Sequence, residues 1–120
     1  MNYRFEKLNI WIESRKFVKE IYLVLKKFPQ NEQYVLGDQI RRAAISIVLN
    51  IVEGSAKKSD KDFTRYLRIS IGSLNEVVAG LYLSLDLGYI NQEEFQKLYD
   101  FTHKLSAMIQ AMIKKTSQNQ

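Results

Sequence analysis

The chain has 120 residues, 46% hydrophobic and 26% charged, with five glycines, one proline, no cysteine and one histidine. This is the composition of one globular domain over residues 1–120, and so few glycines and prolines argue against a fold of many short strands. The missing cysteines remove disulfides, thiolate metal sites and cysteine nucleophiles, one imidazole (His103) cannot build a multi-histidine centre, and a net charge of +5 favours encounters with phosphates.

The opening residues up to Lys7 carry charges where a secretory signal needs an apolar stretch, so the expected location is the cytoplasm. From Leu8 to Phe28 the apolar residues Trp11, Val18, Ile21, Tyr22, Leu25 and Phe28 recur at helical spacing, with Arg15, Lys16, Lys19, Lys26 and Lys27 largely between them. Pro29 ends this first helix, because the residue before proline is pushed out of helical geometry. A second helix begins between Glu32 and Gln39 and runs to Gly54. Its most apolar run, Ala43 to Val52, contains Ser46 and Asn50 and is far shorter than the roughly 20 residues a membrane span needs. Ser59 reads as the cap of a long third helix through Phe63, Leu67, Ile71, Leu74, Val78, Leu81 and Leu85, which Gly88 ends in the left-handed conformation. Asn91 and Glu94 then form a capping box, with Ile90 and Phe95 as its hydrophobic staple. Leu98, Thr102, Leu105, Ile109 and Met112 continue a bundle seam, and a polar tail from about 115 to 120 is expected to fray.

Four helices with short connections pack most simply as an all-α, up-down-up-down antiparallel bundle. Apolar residues cover nearly the whole circumference of the second helix, more than one bundle buries, which predicts a homo-oligomer interface at Ile45, Val48, Leu49 and Val52. Ser46 and Asn50, four apart, must find hydrogen-bond partners across the core or across that interface. With the second and third helices antiparallel, Arg42 comes level with residues 72 to 76, so Glu76 is its expected partner, and Glu53 is expected to meet Lys57, Lys61 or Arg65. These five polar residues, Arg42, Ser46, Asn50, Glu53 and Glu76, are read as architectural.

Asp100 and His103 have the acid-x-x-His spacing of di-metal bundles, but such centres need that element on two helices, and no second histidine exists. No phosphate loop, serine elbow or metalloprotease motif appears, so neither an enzyme nor a cofactor nor a metal is expected. The densest basic cluster is Lys57, Lys58, Lys61, Arg65 and Arg68, diluted by Asp60 and Asp62, with Tyr66 as the one nearby aromatic for stacking.

Several segments together resemble a known family. They are Phe5 to Leu8 with Trp11, Phe28-Pro29 followed by Glu32 and Tyr34, Gln39 to Ile47, Asn50 to Gly54, Gly72 to Glu76, and Leu87-Gly88-Tyr89. In this order they are similar to the four-helix-bundle proteins encoded in intervening sequences of bacterial 23S ribosomal RNA genes. The chain departs from that pattern at Val48, where proline is usual, and at Tyr34-Val35-Leu36, where Tyr-Gly-Leu is usual. The resemblance implies a barrel-like homopentamer. It also points to the similar accessory protein of diversity-generating retroelements, which binds nucleic acid and a reverse transcriptase.

Two functions from different classes follow. The first is a non-enzymatic homo-oligomer that binds RNA or DNA, structured RNA above all, through Lys57, Lys58, Lys61, Arg65 and Arg68 repeated on one face. The second is a scaffold that docks a partner protein without binding nucleic acid. Salt separates them, because phosphate contacts release counterions and apolar docking does not.

Overall fold

Local chemistry sets where each helix starts and stops. The computed structural model describes residues 2–118, and it contains helices α1 (Asn9–Leu25), α2 (Leu36–Ser55), α3 (Asp60–Asp86) and α4 (Gln92–Ser117), with no strand among the described residues. Short 3₁₀ turns at Arg4–Lys7 and Gln30–Tyr34 precede α1 and α2. α1 ends three residues before the expected Phe28, because the chain tightens ahead of Pro29: Lys27 N–H donates to Val24 O at 3.0 Å and Phe28 N–H to Leu25 O at 3.1 Å. Gln33 Nε2 then donates to Leu25 O at 2.6 Å and Phe28 O at 3.2 Å, satisfying carbonyls that a helix end leaves open.

The capping expectations for α3 and α4 are met in atomic detail. Ser59 Oγ accepts from Asp62 N–H at 3.1 Å. At the other end of α3, Gly88 has φ +76°, and Gly88 N–H reaches Leu85 O at 3.1 Å while Tyr89 N–H reaches Ser84 O at 2.9 Å. This pair of bonds is the Schellman arrangement, which needs a residue without a Cβ in the left-handed region. Asn91 Oδ1 accepts from Glu94 N–H at 2.8 Å and Glu94 Oε1 accepts from Asn91 N–H at 2.9 Å, a complete capping box. α4 then runs further than expected. It continues to Ser117, and Thr116 within the expected frayed tail is buried with its hydroxyl 2.6 Å from that of Thr64. Residues 119 and 120, the rest of that tail, lie outside the described residues.

Each helix packs on the next, and α4 closes on α1. One end of the bundle gathers the start of α1, the α2–α3 connection and the close of α4: Arg4 Nη1 donates to Ser55 O at 3.2 Å, and Thr64 meets Thr116. The opposite end joins the segment just past α1 to α4 through the Lys27–Glu94 ion pair. The helices therefore alternate up and down, around a core that includes Phe17, Ile21, Ile47, Phe63, Leu67, Leu98, Leu105 and Ile109.

α2 and α3 approach each other most closely, and small residues make this possible. A Cβ on Gly80 would lie 2.6 Å from Ile40 Cγ1, and one on Gly54 would lie 2.7 Å from Tyr66 Cβ. Between these two points Ser73 Oγ donates to Ser46 Oγ at 2.8 Å and Ser70 Oγ to Ile47 O at 2.9 Å. Asn50 Nδ2 donates within α2 to Ser46 O and Oγ, at 2.9 and 3.0 Å. Ser46 thus has the expected partner across the helix pair, whereas Asn50 is satisfied within its own helix, so the expected partner across the core or an interface is corrected for Asn50.

Glu94 does two jobs, since it also accepts from Lys27, just past the end of α1. The Lys27 hydrogen bond first, and then the Asn91 backbone N–H, hold its carboxyl below the ordinary glutamate range. The stability it supplies is fully present above the unfolded glutamate pKa and is lost as pH falls through the lowered value. Glu94→Gln keeps a capping box but loses the charge, so denaturant melts should be nearly unchanged below that window and weaker by about 0.5 kcal/mol above it. A variant that tracks the parent protein across the whole acid range would show that the ion pair adds nothing.

Candidate nucleic-acid interface

The up-down-up-down topology sorts charge along the bundle. The end built from the start of α1, the α2–α3 connection and the close of α4 carries Arg4, Lys7, Lys57, Lys58, Lys61, Arg65, Lys114 and Lys115 against Glu6, Glu53, Asp60 and Asp62. The other end carries Lys26, Lys27, Arg41 and Lys97 against Glu20, Glu32, Asp38, Asp86, Glu93 and Glu94. Basic residues thus dominate the first end, whereas the two signs nearly balance at the other, where Lys19 stands beside Glu20 and Arg42 beside Arg41.

Within the basic end the five predicted residues separate into two kinds. Lys57 Nζ lies 3.4 Å from Glu53 and Arg65 Nη2 lies 3.9 Å from Asp62, the first of these being one of the pairings expected for Glu53. Both cations also cover the Tyr66 ring, at 5.3 and 4.7 Å from its centroid. The Tyr66 ring, the aromatic expected to be available for stacking, is thus covered by its own neighbours Lys57 and Arg65. Lys58, Lys61 and Arg68 are exposed and make no ion pair among the described residues. Lys61, Arg65 and Arg68 line one shallow depression of about 560 Å³ together with Asp62, Thr64 and Ile69. Asp62 and Asp60 stand in the first turn of α3 and weaken its attraction for an anion.

The basic residues of α1 offer a weaker alternative. Lys16 and Lys104 both approach Glu13, at 3.6 and 3.7 Å, Lys97 pairs with Glu20 at 3.5 Å, and Arg15 stacks over Trp11 at 4.6 Å. Arg4, Lys7, Lys114 and Lys115 are the members of the basic end that reading the cluster along the chain overlooks. Their signal is topological: once the helices alternate, the start of α1 and the close of α4 must join the α2–α3 turn.

Arg42 and Glu76 stand level across α2 and α3, but both are exposed and no ion pair joins them among the described residues. Their side chains point outward from a seam already filled by Ser46 and Ser73, so the expected pairing within one chain is corrected. Leu49 is 57% exposed, while Ile45, Val48 and Val52 are half-buried. Ile45, Val48 and Leu49 line an apolar groove of about 490 Å³ with Arg15, Val18, Lys19 and Tyr22 of α1. His103 is exposed, Asp100 accepts from Gln96 at 2.9 Å, and no group of three or more potential metal-ligating residues occurs among the described residues.

A family model described as 23S rRNA-intervening sequence protein matches residues 6–111. The chain belongs to this family. The match spans all of the first three helices and most of the fourth, so family membership rests on the whole bundle. A crystal structure of a protein of unknown function from the S23 ribosomal protein family of Bacteroides thetaiotaomicron VPI-5482 is similar throughout. It shares 25% identity and a TM-score of 0.81, over 88% of this chain and 98% of that one. No curated protein matches. Among the described residues no helix is long and apolar enough to cross a membrane.

Proposed function

We propose that this protein is a non-enzymatic, cytoplasmic homo-oligomer that binds nucleic acid, structured RNA above all, through its basic end. The observation that carries this reading is the set of exposed cations without acidic partners among the described residues: Lys58 and Lys61 at an end that also holds Arg4, Lys7, Lys114 and Lys115, and Arg68 about two turns further along α3. Contacts of this kind position a protein on phosphates without reading bases, so binding is salt-sensitive and nearly independent of sequence. A symmetric assembly multiplies a modest patch into useful avidity. Five copies are the number the family resemblance implies. Titrating a fluorescent RNA hairpin at stepwise salt tests the reading: log K should fall linearly with log salt, and absence of binding at low salt rejects it.

A second reading is favoured by the groove between α1 and α2. Its apolar lining would suit a protein partner, a reverse transcriptase being the one the resemblance implies, and such docking would respond weakly to salt. Oligomerisation itself is tested by mass. Leu49→Lys or Ile45→Lys introduces a charge where the assembly buries an apolar side chain, so light scattering at micromolar concentration should show a folded subunit of about one-chain mass. A monomeric parent protein rejects the homo-oligomer, and an unchanged mass for the variants moves the interface elsewhere.

A further inference from the structure

The homo-oligomer proposed above needs two mating surfaces, and two outward stripes supply them. On α2, Arg42, Leu49 and Glu53 recur at seven and four residues and so share one outward face. On α3, Arg65, Ile69, Gly72 and Glu76 recur at four, three and four. The register of the two helices is set by Gly80 against Ile40, Ser73 on Ser46, Ser70 on Ile47 and Gly54 against Phe63 and Tyr66. By that register Arg42 stands about level with Glu76, Leu49 with Ile69, and Glu53 with Arg65. The rows read basic, apolar, acidic on α2 and acidic, apolar, basic on α3. Yet no ion pair joins Arg42 to Glu76 or Glu53 to Arg65 among the described residues, and Leu49 and Ile69 remain 57% and 43% exposed. The complementarity is built but unused within one chain.

Gly72 adds an independent observation. It sits in the middle of α3, where glycine is disfavoured relative to alanine, and a Cβ placed on it would meet nothing within 4 Å. Gly54 and Gly80 are explained by close approach within the chain, whereas Gly72 has no such neighbour. A hollow between Ile69 and Glu76 is what a second chain packing on this stripe would require.

We propose that the α2 stripe of one copy packs on the α3 stripe of the next. Rotation about an axis along the bundle keeps heights unchanged, so Arg42 meets Glu76, Leu49 meets Ile69 and Glu53 meets Arg65 across the contact, with Gly72 admitting the neighbour. The two stripes are different surfaces, so the contact is head-to-tail and closes into a ring when the rotation allows. The surface pairs Lys57–Glu53 and Arg65–Asp62 contribute little on their own and exchange partners readily. This inference rests on the homo-oligomer reading. It also assigns Arg65 to the contact, leaving Lys58, Lys61 and Arg68 for phosphate.

A chain without cysteine makes the test direct, because introduced thiols are the only ones. Leu49→Cys and Ile69→Cys subunits, distinguished by tags and co-expressed, are treated with a flexible bismaleimide. Covalent dimers should join one subunit of each kind, and neither variant expressed alone should cross-link. Cross-linking of Leu49→Cys alone, or an oligomer whose mixed subunits stay separate, overturns the head-to-tail contact. As a second arm, Arg42→Glu and Glu76→Arg should each lower the mass toward one chain while circular dichroism stays helical. Combining them in one chain should restore the parent mass, and a double variant that stays dissociated also overturns the contact. A parent protein that is monomeric by light scattering, before any variant is made, identifies failure of the oligomer reading itself.

Discussion

Gly54→Ala lowers the stability of the subunit by about 2 kcal/mol, a fall of roughly 8 °C in melting temperature for a domain of this size. Alanine is the better helix former by about 1 kcal/mol, so the loss must come from packing. The added methyl would lie 2.7 Å from Tyr66 Cβ, 2.9 Å from Phe63 Cδ1 and 3.3 Å from Phe63 O. Two of these atoms are fixed to the α3 backbone and cannot swing away, so α2 and α3 must separate. Gly80→Ala should be milder, because its Cβ would meet Ile40 side-chain atoms, which can shift in part. The order of the two variants in urea melts followed by circular dichroism checks the argument, and equal stabilities for Gly54→Ala and the parent would show that the helices are not held together there. The same variant bears on function, since Gly54 fixes the connection that presents Lys57, Lys58 and Lys61.

Replacing Lys57, Lys58, Lys61, Arg65 and Arg68 together by glutamine leaves the subunit folded and flattens the salt dependence of RNA binding. Removing one cation from a phosphate lowers the slope of log K against log salt by about 0.7 to 0.9, so removing the three unpaired cations alone changes it by about 2 to 3 for each subunit engaged. Affinity at low salt should fall with it, and preference among RNA sequences should change little, because the proposed contacts are to phosphates rather than bases. The fold is expected to survive because these side chains lie at the surface, and their ion pairs are of the exposed kind that adds little stability. Light scattering reads the mass of the same variant. A drop in mass assigns part of the effect to Arg65 at the subunit contact, and the triple variant Lys58→Gln, Lys61→Gln, Arg68→Gln then isolates the phosphate contribution. Unchanged affinity and slope for the triple variant place the binding surface elsewhere, with Arg15, Lys16 and Lys19 of α1 and Lys26 and Lys27 just after it next in line.

The two proposals share the α2–α3 pair and divide its residues. Lys58 and Lys61 lie at the turn and in the first part of α3, at the end of the bundle, whereas Arg42, Leu49, Ile69 and Glu76 lie along its flank. In these proposals the nucleic-acid rim and the subunit contact adjoin at the depression that Lys61, Arg65, Arg68 and Ile69 line together.

The helices, their caps and the alternation of direction were legible in the residues themselves. Ser59, Gly88, Asn91, Glu94 and Pro29 act on backbone groups within a few positions, and apolar spacing declares which face is buried, so neither needs knowledge of distant parts of the chain. Even the level of Arg42 against Glu76 followed from rise per residue along two antiparallel helices. What height does not contain is azimuth. The rotation of α2 and α3 about their axes is decided by which side chains fill the seam between them, and here Ser46, Ser70, Ser73, Gly54 and Gly80 win it because small residues let the backbones approach. That rotation turns Arg42 and Glu76 outward. Tertiary packing likewise buries Thr116 against Thr64 and so extends α4, folds Lys57 and Arg65 over Tyr66, and brings Arg4 and Lys115 to the end that holds Lys58. Each is an arrangement whose geometry exists only once the helices have formed and docked.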